Sequence, residues 1–508
     1  MEETSSIFYE EIEENILSES HLLQSSPISP SEESLSPSSP ASDASWWRQN
    51  CNLLELSGSC GDFGTLIPLL VALSRQRAIY LAPTLLGTGI VHIISGGLVW
   101  DIPMPLQPMK AIASLAIASD LTRLEVSIAG VGIGICFLLF SIFAGAIDTL
   151  HRWIPPSVIG GLQLGVGWKL AVKGIHMIQE LPWIENPYDC KLWSIFSGLS
   201  CLYFLKAQLS SSGDHHSGTP VGCWQKFRQK FPVGLSLFLL GIILAVMNLT
   251  NTRHANTNNS SSDLDQKDTI QFTSEAFVVN ALKGATWGDW KTGILEGTLP
   301  QLPLTTLNSC LSVCLLAKNL FPDKPVVERR AVSWSIGLMN IFFCPMGSMP
   351  HCHGAGGLAG QNKLGAKSGL SMVVLGVFKI TLSILAHYGY LLTLFDALPS
   401  SILGLLLVIA GHELALTGVS SVAHPKEGTS WTAFAPGKQP DLTVTLMTGL
   451  IIVGTGKTHV GTLCGLITYL LHESGHVEGS SNDGVTGDTD LATEDSAGNE
   501  EYSPLHRE

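Results

Sequence analysis

Long apolar runs separated by short polar turns make up most of this chain between residues 51 and 475. Runs such as 126–146, 233–248, 368–386 and 401–410 are apolar over lengths close to the ~20 residues that a membrane-spanning helix needs. A soluble domain does not carry so many apolar segments in series. The pattern therefore predicts an all-α polytopic membrane protein.

One of these runs is interrupted by prolines. Residues 100–119 read WDIPMPLQPMKAIASLAIAS, with Pro103, Pro105, Pro108 and Lys110 inside otherwise apolar sequence. Proline lacks a backbone N–H and prevents a continuous helix, so we predict extended chain up to about Pro108 and a helix after it. The alternative is a proline-kinked spanning helix whose Lys110 side chain reaches the membrane surface.

A second break lies in the other half of the chain, where residues 344–357 read CPMGSMPHCHGAGG. Two interrupted segments in corresponding positions are the best pointer in a sequence to the binding site of a transporter. A helix that begins inside the membrane directs its free N–H groups and positive dipole end into a cavity. The two breaks therefore favour an anion site.

Short motifs of the first half return in the second half. Residues 64–66 (GTL) are matched by 297–299, and at one constant spacing 154–160 (IPPSVIG) and 167–171 (GWKLA) are matched by 398–404 (LPSSILG) and 411–415 (GHELA). The same spacing aligns the two breaks. If each half contains an odd number of spans, the halves are inverted repeats.

Composition and charge divide the chain further. The 508 residues are 45% hydrophobic and 14% charged, and much of the net charge of −14 lies in the polar tails and one loop. We predict a disordered acidic Ser/Pro-rich tail, a first transmembrane repeat, a polar extracellular or lumenal loop, a second repeat and a disordered tail. These five regions are 1–50, 51–250, 251–290, 291–475 and 476–508. Basic residues in 206–230 and 318–330 predict cytoplasmic loops, and the N terminus is predicted to be cytoplasmic.

Three motifs carry a resemblance to a known family. Residues 61–68 (GDFGTLIP), 102–113 (IPMPLQPMKAIA) and 352–369 (CHGAGGLAGQNKLGAKSG) resemble the molybdate transporter family, a branch of the sulfate-permease-like superfamily. The resemblance covers roughly residues 55–475. It implies about seven segments in each inverted repeat and a division into core and gate domains. It also implies that the two broken half-helices meet at mid-membrane around one oxyanion.

The predicted substrate-binding residues lie at the two helix starts. They are Gln107, Met109, Lys110, Ala111, His353, Gly354, Ala355, Gly356 and Gln361. Backbone N–H groups supply directional donors for a tetrahedral dianion, and lysine supplies charge. We favour ligand contact for Gln107, whereas for Gln361 a helix–helix hydrogen bond is an equally strong alternative.

Transport of a dianion into a negative compartment needs a coupled cation, because each charge costs about 2.3 kcal/mol per 100 mV. The proton-coupling candidates are Glu296, Asp62 and His351. The resemblance favours Glu296, because transporters of the wider superfamily often keep a functional acidic side chain at the start of the eighth segment, whereas Gly61 and Gly64 suggest capping or packing for Asp62. Lys169 and Glu413 occupy equivalent repeat positions with opposite charge. We hypothesise that they pair across the gate, directly or in alternation.

These features predict a proton-coupled secondary active transporter of molybdate, with sulfate or another tetrahedral oxyanion as the alternative cargo. A membrane sensor that binds an oxyanion and signals through the Ser-Pro tail is an alternative of another class. An enzyme is not expected, since the chain has no nucleophile–base–orienter set and no nucleotide loop.

No cofactor and no metal site is predicted, because His351 and His353 lack further ligands nearby. The predicted partners are molybdate, protons, the lipid bilayer and a second copy of the chain, without nucleic acid. The predicted location is the plasma membrane or an endomembrane such as the vacuole.

Overall fold

The computed structural model describes residues 53–59, 63–143, 154–211, 233–258, 275–363, 365–420 and 439–482, together with residues 145, 147 and 149. The predicted tail 1–50, most of the predicted tail 476–508 and the coupling candidate Asp62 lie outside these residues. The fold is almost entirely helical, as the apolar runs predict.

The elements of the first half follow one another closely along the chain. In order they are α1 (Leu53–Ser59), α2 (Phe63–Arg75), α3 (Leu81–Val91), a π-helix (His92–Val99), β1 (Leu106–Pro108), α4 (Lys110–Ser119), α5 (Arg123–Ile142), α6 (Pro156–Gln179), α7 (Lys191–Ser211) and α8 (Val233–Asn258).

The second half begins with one long segment in which α-helical and π-helical turns alternate. In order its elements are α9 (Trp287–Thr292), a π-helix (Gly293–Thr298), α10 (Leu299–Thr305), a π-helix (Thr306–Ser312), α11 (Val313–Leu320), α12 (Arg329–Phe343), a 3₁₀ turn (Cys344–Met346), β2 (His351–His353), α13 (Ala355–Lys363), α14 (Leu370–His387), α15 (Tyr390–Asp396), α16 (Ser400–Ser420), α17 (Gln439–Thr455) and α18 (Thr458–Asn482).

Several of these segments are suited to a membrane. In the described part of the chain, five helical segments are long and apolar enough to cross it: Leu81–Val99, Arg123–Ile142, Trp287–Leu320, Leu370–His387 and Ser400–Ser420. Shorter apolar helices, among them Lys110–Ser119 and Asp441–Thr455, lie between them. Short helices of this kind are expected where a span is broken inside the membrane.

The helices pack in pairs that are equivalent under the repeat. Helix α3 packs against α14, and α12 packs against α5, which exchanges corresponding helices of the two halves. Helix α6 packs against α16, its own counterpart, and β1 pairs with β2 in antiparallel orientation. A two-fold axis in the membrane plane produces this exchange. The predicted inverted repeats are therefore confirmed.

Glycines determine how closely α6 and α16 approach. Three on each helix meet in antiparallel order: Gly160 with Gly418, Gly167 with Gly411, and Gly174 with Gly404. At the middle pair, a Cβ built on either glycine would lie 2.5 Å from the carbonyl oxygen of the other. Any larger residue would push the two backbones apart, so the motif shared by the repeats is a packing seam.

Helices cross three of the boundaries between the predicted regions. Helix α8 continues to Asn258, so the first residues of the predicted loop 251–290 are helical. The last residues of that loop are also helical, since α9 begins at Trp287. Helix α18 continues to Asn482, into the region predicted as a disordered tail. Polar residues such as Asn and Ser mark a membrane boundary in sequence, but a helix continues past that boundary wherever its backbone hydrogen bonds are satisfied.

Candidate functional site

The two broken segments cross at the centre of the fold. Strand β1 pairs antiparallel with β2, so that Leu106 lies opposite His353, Gln107 opposite Cys352, and Pro108 opposite His351. Each strand leads directly into a helix, and α4 and α13 therefore begin at opposite ends of this three-residue ladder. Three residues of strand span about 10 Å, so the two helix starts lie close enough to share one small anion.

Backbone hydrogen bonds close the ladder at both ends. The Met109 N–H donates to the Pro350 carbonyl at 3.0 Å, and the Gly354 N–H donates to the Pro105 carbonyl at 3.3 Å. Both donors had been candidates for anion contact. The structure uses both N–H groups to hold the crossing together, so neither is free to contact an anion in this arrangement.

The Gln107 side chain lies along the first turn of α13. A Cβ built on Gly354 would lie 2.0 Å from Gln107 Oε1, and one built on Gly357 would lie 2.9 Å from Gln107 Nε2. The Gln107 residue is only 4% exposed. The glycines of this turn therefore make room for the amide of Gln107 at the start of the helix, where it can support a ligand.

An opening reaches the start of α13. A Cβ built on Gly356 would have no atom of the described residues within 4 Å, and Gly356 is exposed although its neighbours in the crossing are buried. Ala355 and Lys110 are partly exposed, whereas Met109 and Ala111 are buried. The accessible part of the predicted set is thus Lys110, Ala355 and Gly356.

The negative charge of Glu413 on α16 lies near enough to Lys110 to interact with it electrostatically. Lys169 on α6 donates hydrogen bonds to Ser119 Oγ at 2.8 Å and to the Gly456 carbonyl at 2.7 Å. The structure thus does not pair Lys169 directly with Glu413. Both side chains instead interact with α4, Glu413 at its first residue and Lys169 at its last, and their exchange during transport stays a prediction.

The histidines of β2 lie on the face of the ladder opposite Gln107, because side chains alternate along a strand. Both are buried. His353 Nε2 lies 2.9 Å from Ser335 Oγ, its ring meets Trp100 edge to face, and His351 Nδ1 lies 2.5 Å from the Met349 carbonyl. The rings of His351 and His353 are therefore separated from the Gln107 side of the crossing.

His92, which was not among the predicted site residues, contacts the backbone of β1. Its Nε2 accepts a hydrogen bond from the Leu106 N–H at 2.9 Å, and its Nδ1 lies 2.5 Å from the Thr88 carbonyl. One nitrogen must accept and the other donate, which defines a neutral imidazole. The signal in the sequence was a histidine inside an apolar run.

Gln361 lies two turns into α13 and is fully buried. Among the described residues, neither its Nε2 nor its Oε1 has a hydrogen-bond partner. The helix–helix hydrogen bond that was the alternative for this residue is thus not formed with any described residue. Ligand contact by Gln361 stays a prediction.

Glu296 joins the second-half segment to the start of α18. Its Oε2 accepts hydrogen bonds from the Thr458 backbone N–H at 3.2 Å and the Thr458 hydroxyl at 3.0 Å, and its Oε1 lies 3.0 Å from His459 Nδ1. Lys169 also interacts with it electrostatically. The carboxylate therefore caps the positive end of α18, the last helix of the same half of the chain.

Two further polar residues were missed. Gln301 accepts from the backbone of α4, and Lys379 is a buried lysine halfway along α14 that interacts electrostatically with His92 and His351. In the sequence, Lys379 is one cation in an apolar run, and Gln301 stands between Pro300 and Pro303. Within the described residues, no group of three or more His, Cys, Asp or Glu side chains is placed to hold a metal ion.

Comparison with known proteins identifies one matching family and several similar proteins. The model of a family described as "Molybdate transporter of MFS superfamily" matches residues 54–170 and 293–414. Molybdate transporter 1 of Arabidopsis thaliana is 35% identical over 389 residues, covering 72% of this chain and 79% of that protein. Molybdate transporter 2 of the same plant is 31% identical over 438 residues, covering 82% and 86%. Molybdate transporter 1 of Chlamydomonas reinhardtii is 32% identical over 487 residues, covering 81% and 90%.

Solved structures share the fold. The transmembrane domain of the cyanobacterial bicarbonate transporter BicA aligns with a TM-score of 0.50, covering 79% of this chain and 97% of that one. The murine anion transporter Slc26a9 in its inward-facing state aligns with a TM-score of 0.52, covering 87% and 74%. Both are 12% identical, which shows the fold alone. The chain is an integral, multi-pass membrane protein with two inverted repeats arranged as core and gate.

Proposed function

The chain belongs to the molybdate transporter family, and from this premise we propose that it carries molybdate across a membrane as a proton-coupled secondary transporter. Its named relatives are molybdate transporters. The observation that carries the proposal is the open start of α13, where Gly356 is exposed beside the buried Gln107 amide.

The crossing supplies what a tetrahedral dianion needs. The first-turn N–H groups of a helix have no partner within that helix, so those of Ala355 and Gly356 are available to an oxyanion at the opening. The Gln107 amide lies against the same turn, and Lys110 brings a positive charge to the start of α4. Glu413 near Lys110 moderates that charge, which favours release of the anion as well as capture.

Reconstitution of the purified chain in lipid vesicles tests the proposal. Molybdate uptake is measured with imposed pH and voltage gradients, and sulfate is added as a competitor. We expect saturable molybdate uptake that sulfate inhibits weakly, and faster uptake when the external side is acidic. Sulfate uptake that exceeds molybdate uptake would identify sulfate as the cargo, and binding without flux would indicate a sensor.

We propose Glu296 as the proton-coupling carboxylate. At 100 mV a dianion is opposed by about 4.6 kcal/mol, roughly a 2,000-fold gradient, which co-transported protons must offset. Glu296 contacts Thr458 and His459 at the start of α18, so a change in its charge alters the contact between two segments that are distant in the chain. Protonation of Glu296 would thereby link proton binding to a relative movement of these two segments.

Replacing Glu296 with glutamine is expected to remove the stimulation of molybdate uptake by an acidic exterior. Glutamine keeps an acceptor for the Thr458 hydroxyl but cannot gain or lose a charge at neutral pH. Uptake rates are compared at pH gradients of opposite sign, with the exposed Glu185→Gln variant as the matched control. An unchanged pH response in Glu296→Gln would exclude this residue as the proton carrier.

A further inference from the structure

Gln301 caps the start of α4 from another segment of the chain. Its Oε1 accepts hydrogen bonds from the Ala111 N–H at 3.1 Å and the Ile112 N–H at 3.4 Å, and its Nε2 donates to Thr305 Oγ1 at 2.8 Å. Gln301 is 3% exposed. The residue that precedes the helix, Met109, gives no side-chain cap. Two amides of the first turn of α4 are therefore satisfied by a glutamine from α10.

These two amides are the donors that a helix start offers to an anion. A dianion oxygen and the Gln301 oxygen cannot both occupy the position in front of them. The other helix start differs, because the space beside Gly356 on α13 is open. One helix start is thus accessible, and the other is occupied by a neutral oxygen of the protein.

We propose that Gln301 is a positioning residue. Its side-chain oxygen accepts the hydrogen bonds of the Ala111 and Ile112 N–H groups while the site is empty, and it releases these groups when the oxyanion binds. This inference rests on the proposed function, since it requires an oxyanion between the two helix starts. The anion would first meet Gly356 and Lys110 and would then replace the Gln301 oxygen at Ala111 and Ile112. Binding at the second helix start becomes conditional on displacing an internal ligand, which lowers affinity and favours release.

The chemistry of a neutral amide suits this role. An apolar side chain would leave two buried N–H groups without an acceptor in the empty state. A carboxylate would satisfy them more strongly, because it interacts with the positive helix end, and would repel a dianion. The amide oxygen is a weaker ligand than molybdate for the same donors.

The segment that carries Gln301 provides a way to move it. Helix α10 is short and is bounded on both sides by π-helical turns, and Pro300 and Pro303 flank Gln301. A π-turn holds an extra residue, and such turns are frequent at functional sites because they shift the register of the turns that follow. The Thr305 hydroxyl, one turn further on, holds the amide in its capping orientation.

Molybdate binding to the purified full-length protein in detergent tests the inference, measured by calorimetry and by the shift of the unfolding temperature. We expect Gln301→Glu to weaken molybdate binding by about 100-fold or more and to raise the unfolding temperature without ligand. Its binding should recover as the pH is lowered and the new carboxyl is protonated. We expect Gln301→Ala to bind molybdate about fivefold more tightly than the unmodified protein.

Thr305→Val is the matched variant, because it releases the Nε2 end of Gln301 and keeps the capping oxygen. Its affinity should lie between those of the unmodified protein and Gln301→Ala. A Gln301→Glu protein that binds molybdate with unchanged affinity at every pH would show a purely structural cap and would overturn the inference. Failure of the unmodified protein to bind molybdate would instead contradict the proposed function. If Gln301→Ala does not fold, Gln301→Glu decides the outcome alone, since it preserves size and cap.

Discussion

Replacing Lys110 with methionine is expected to reduce molybdate uptake by about 100-fold or more while the protein still folds. Lys110 is the first residue of α4 and is partly exposed at the crossing, so its ammonium group can approach a dianion in the site. At an effective dielectric constant near 20, two unit charges about 4 Å apart interact by about 4 kcal/mol. Loss of even part of this energy corresponds to about 100-fold in affinity.

Folding should tolerate the change, because a positive charge at the N-terminal end of a helix opposes the helix dipole. Methionine also keeps the length of the side chain. Lys283→Met, at an exposed turn before α9, is the control for a lost lysine elsewhere. Uptake is measured in vesicles that contain equal amounts of each protein. An unchanged KM in Lys110→Met would place the anion away from the start of α4.

The crossing could be predicted from the prolines. Three prolines within six residues leave no continuous helix, and the structure has strand up to Pro108 and helix from Lys110. The second break was found because it repeats the first, and β2 followed by α13 is its counterpart. The inverted arrangement followed from the number of spans. Each of these steps needs only local backbone chemistry and the repeat.

The side-chain partners of the site could not be predicted in the same way. His351 and His353 were selected because they lie next to the second break, but alternation along β2 places them on the face away from Gln107. Which face of a three-residue strand meets the ligand depends on the partner strand. A strand this short carries no pattern of apolar and polar positions from which to choose.

The roles of Gln301 and Lys379 could not be predicted either, because their partners lie far away in the sequence. Gln301 meets the backbone of Ala111, far away in the sequence, and the pairing exists only because α10 lies beside α4. Lys379 reads as one cation within an apolar helix, and its place beside His92 follows from the packing of α14 against α3. Polar residues inside apolar runs were the available signal, and they mark function by default.

Replacing Gly354 with alanine is expected to reduce molybdate uptake by about 10- to 100-fold, chiefly through affinity. The new Cβ would lie 2.0 Å from Gln107 Oε1 and 2.4 Å from Gln107 Cδ, so the amide must leave the first turn of α13. A flexible side chain can move away, which spares the fold, but the repositioned amide no longer supports a ligand. Overpacking of this kind typically costs about 1–3 kcal/mol.

Gly454→Ala, at an exposed position of α17 outside the crossing, is the matched control, since its Cβ would contact no described residue within 4 Å. Both variants add one methyl group and lose the same backbone freedom, so a difference between them reports the contact with Gln107. In a Gln107→Ala background the clash disappears, and Gly354→Ala should then have little further effect, a non-additivity that a double-mutant cycle measures. Equal uptake by Gly354→Ala and the unmodified protein would remove Gln107 from the site. Additive losses in the double variant would mean that Gly354 acts through the backbone of the crossing instead.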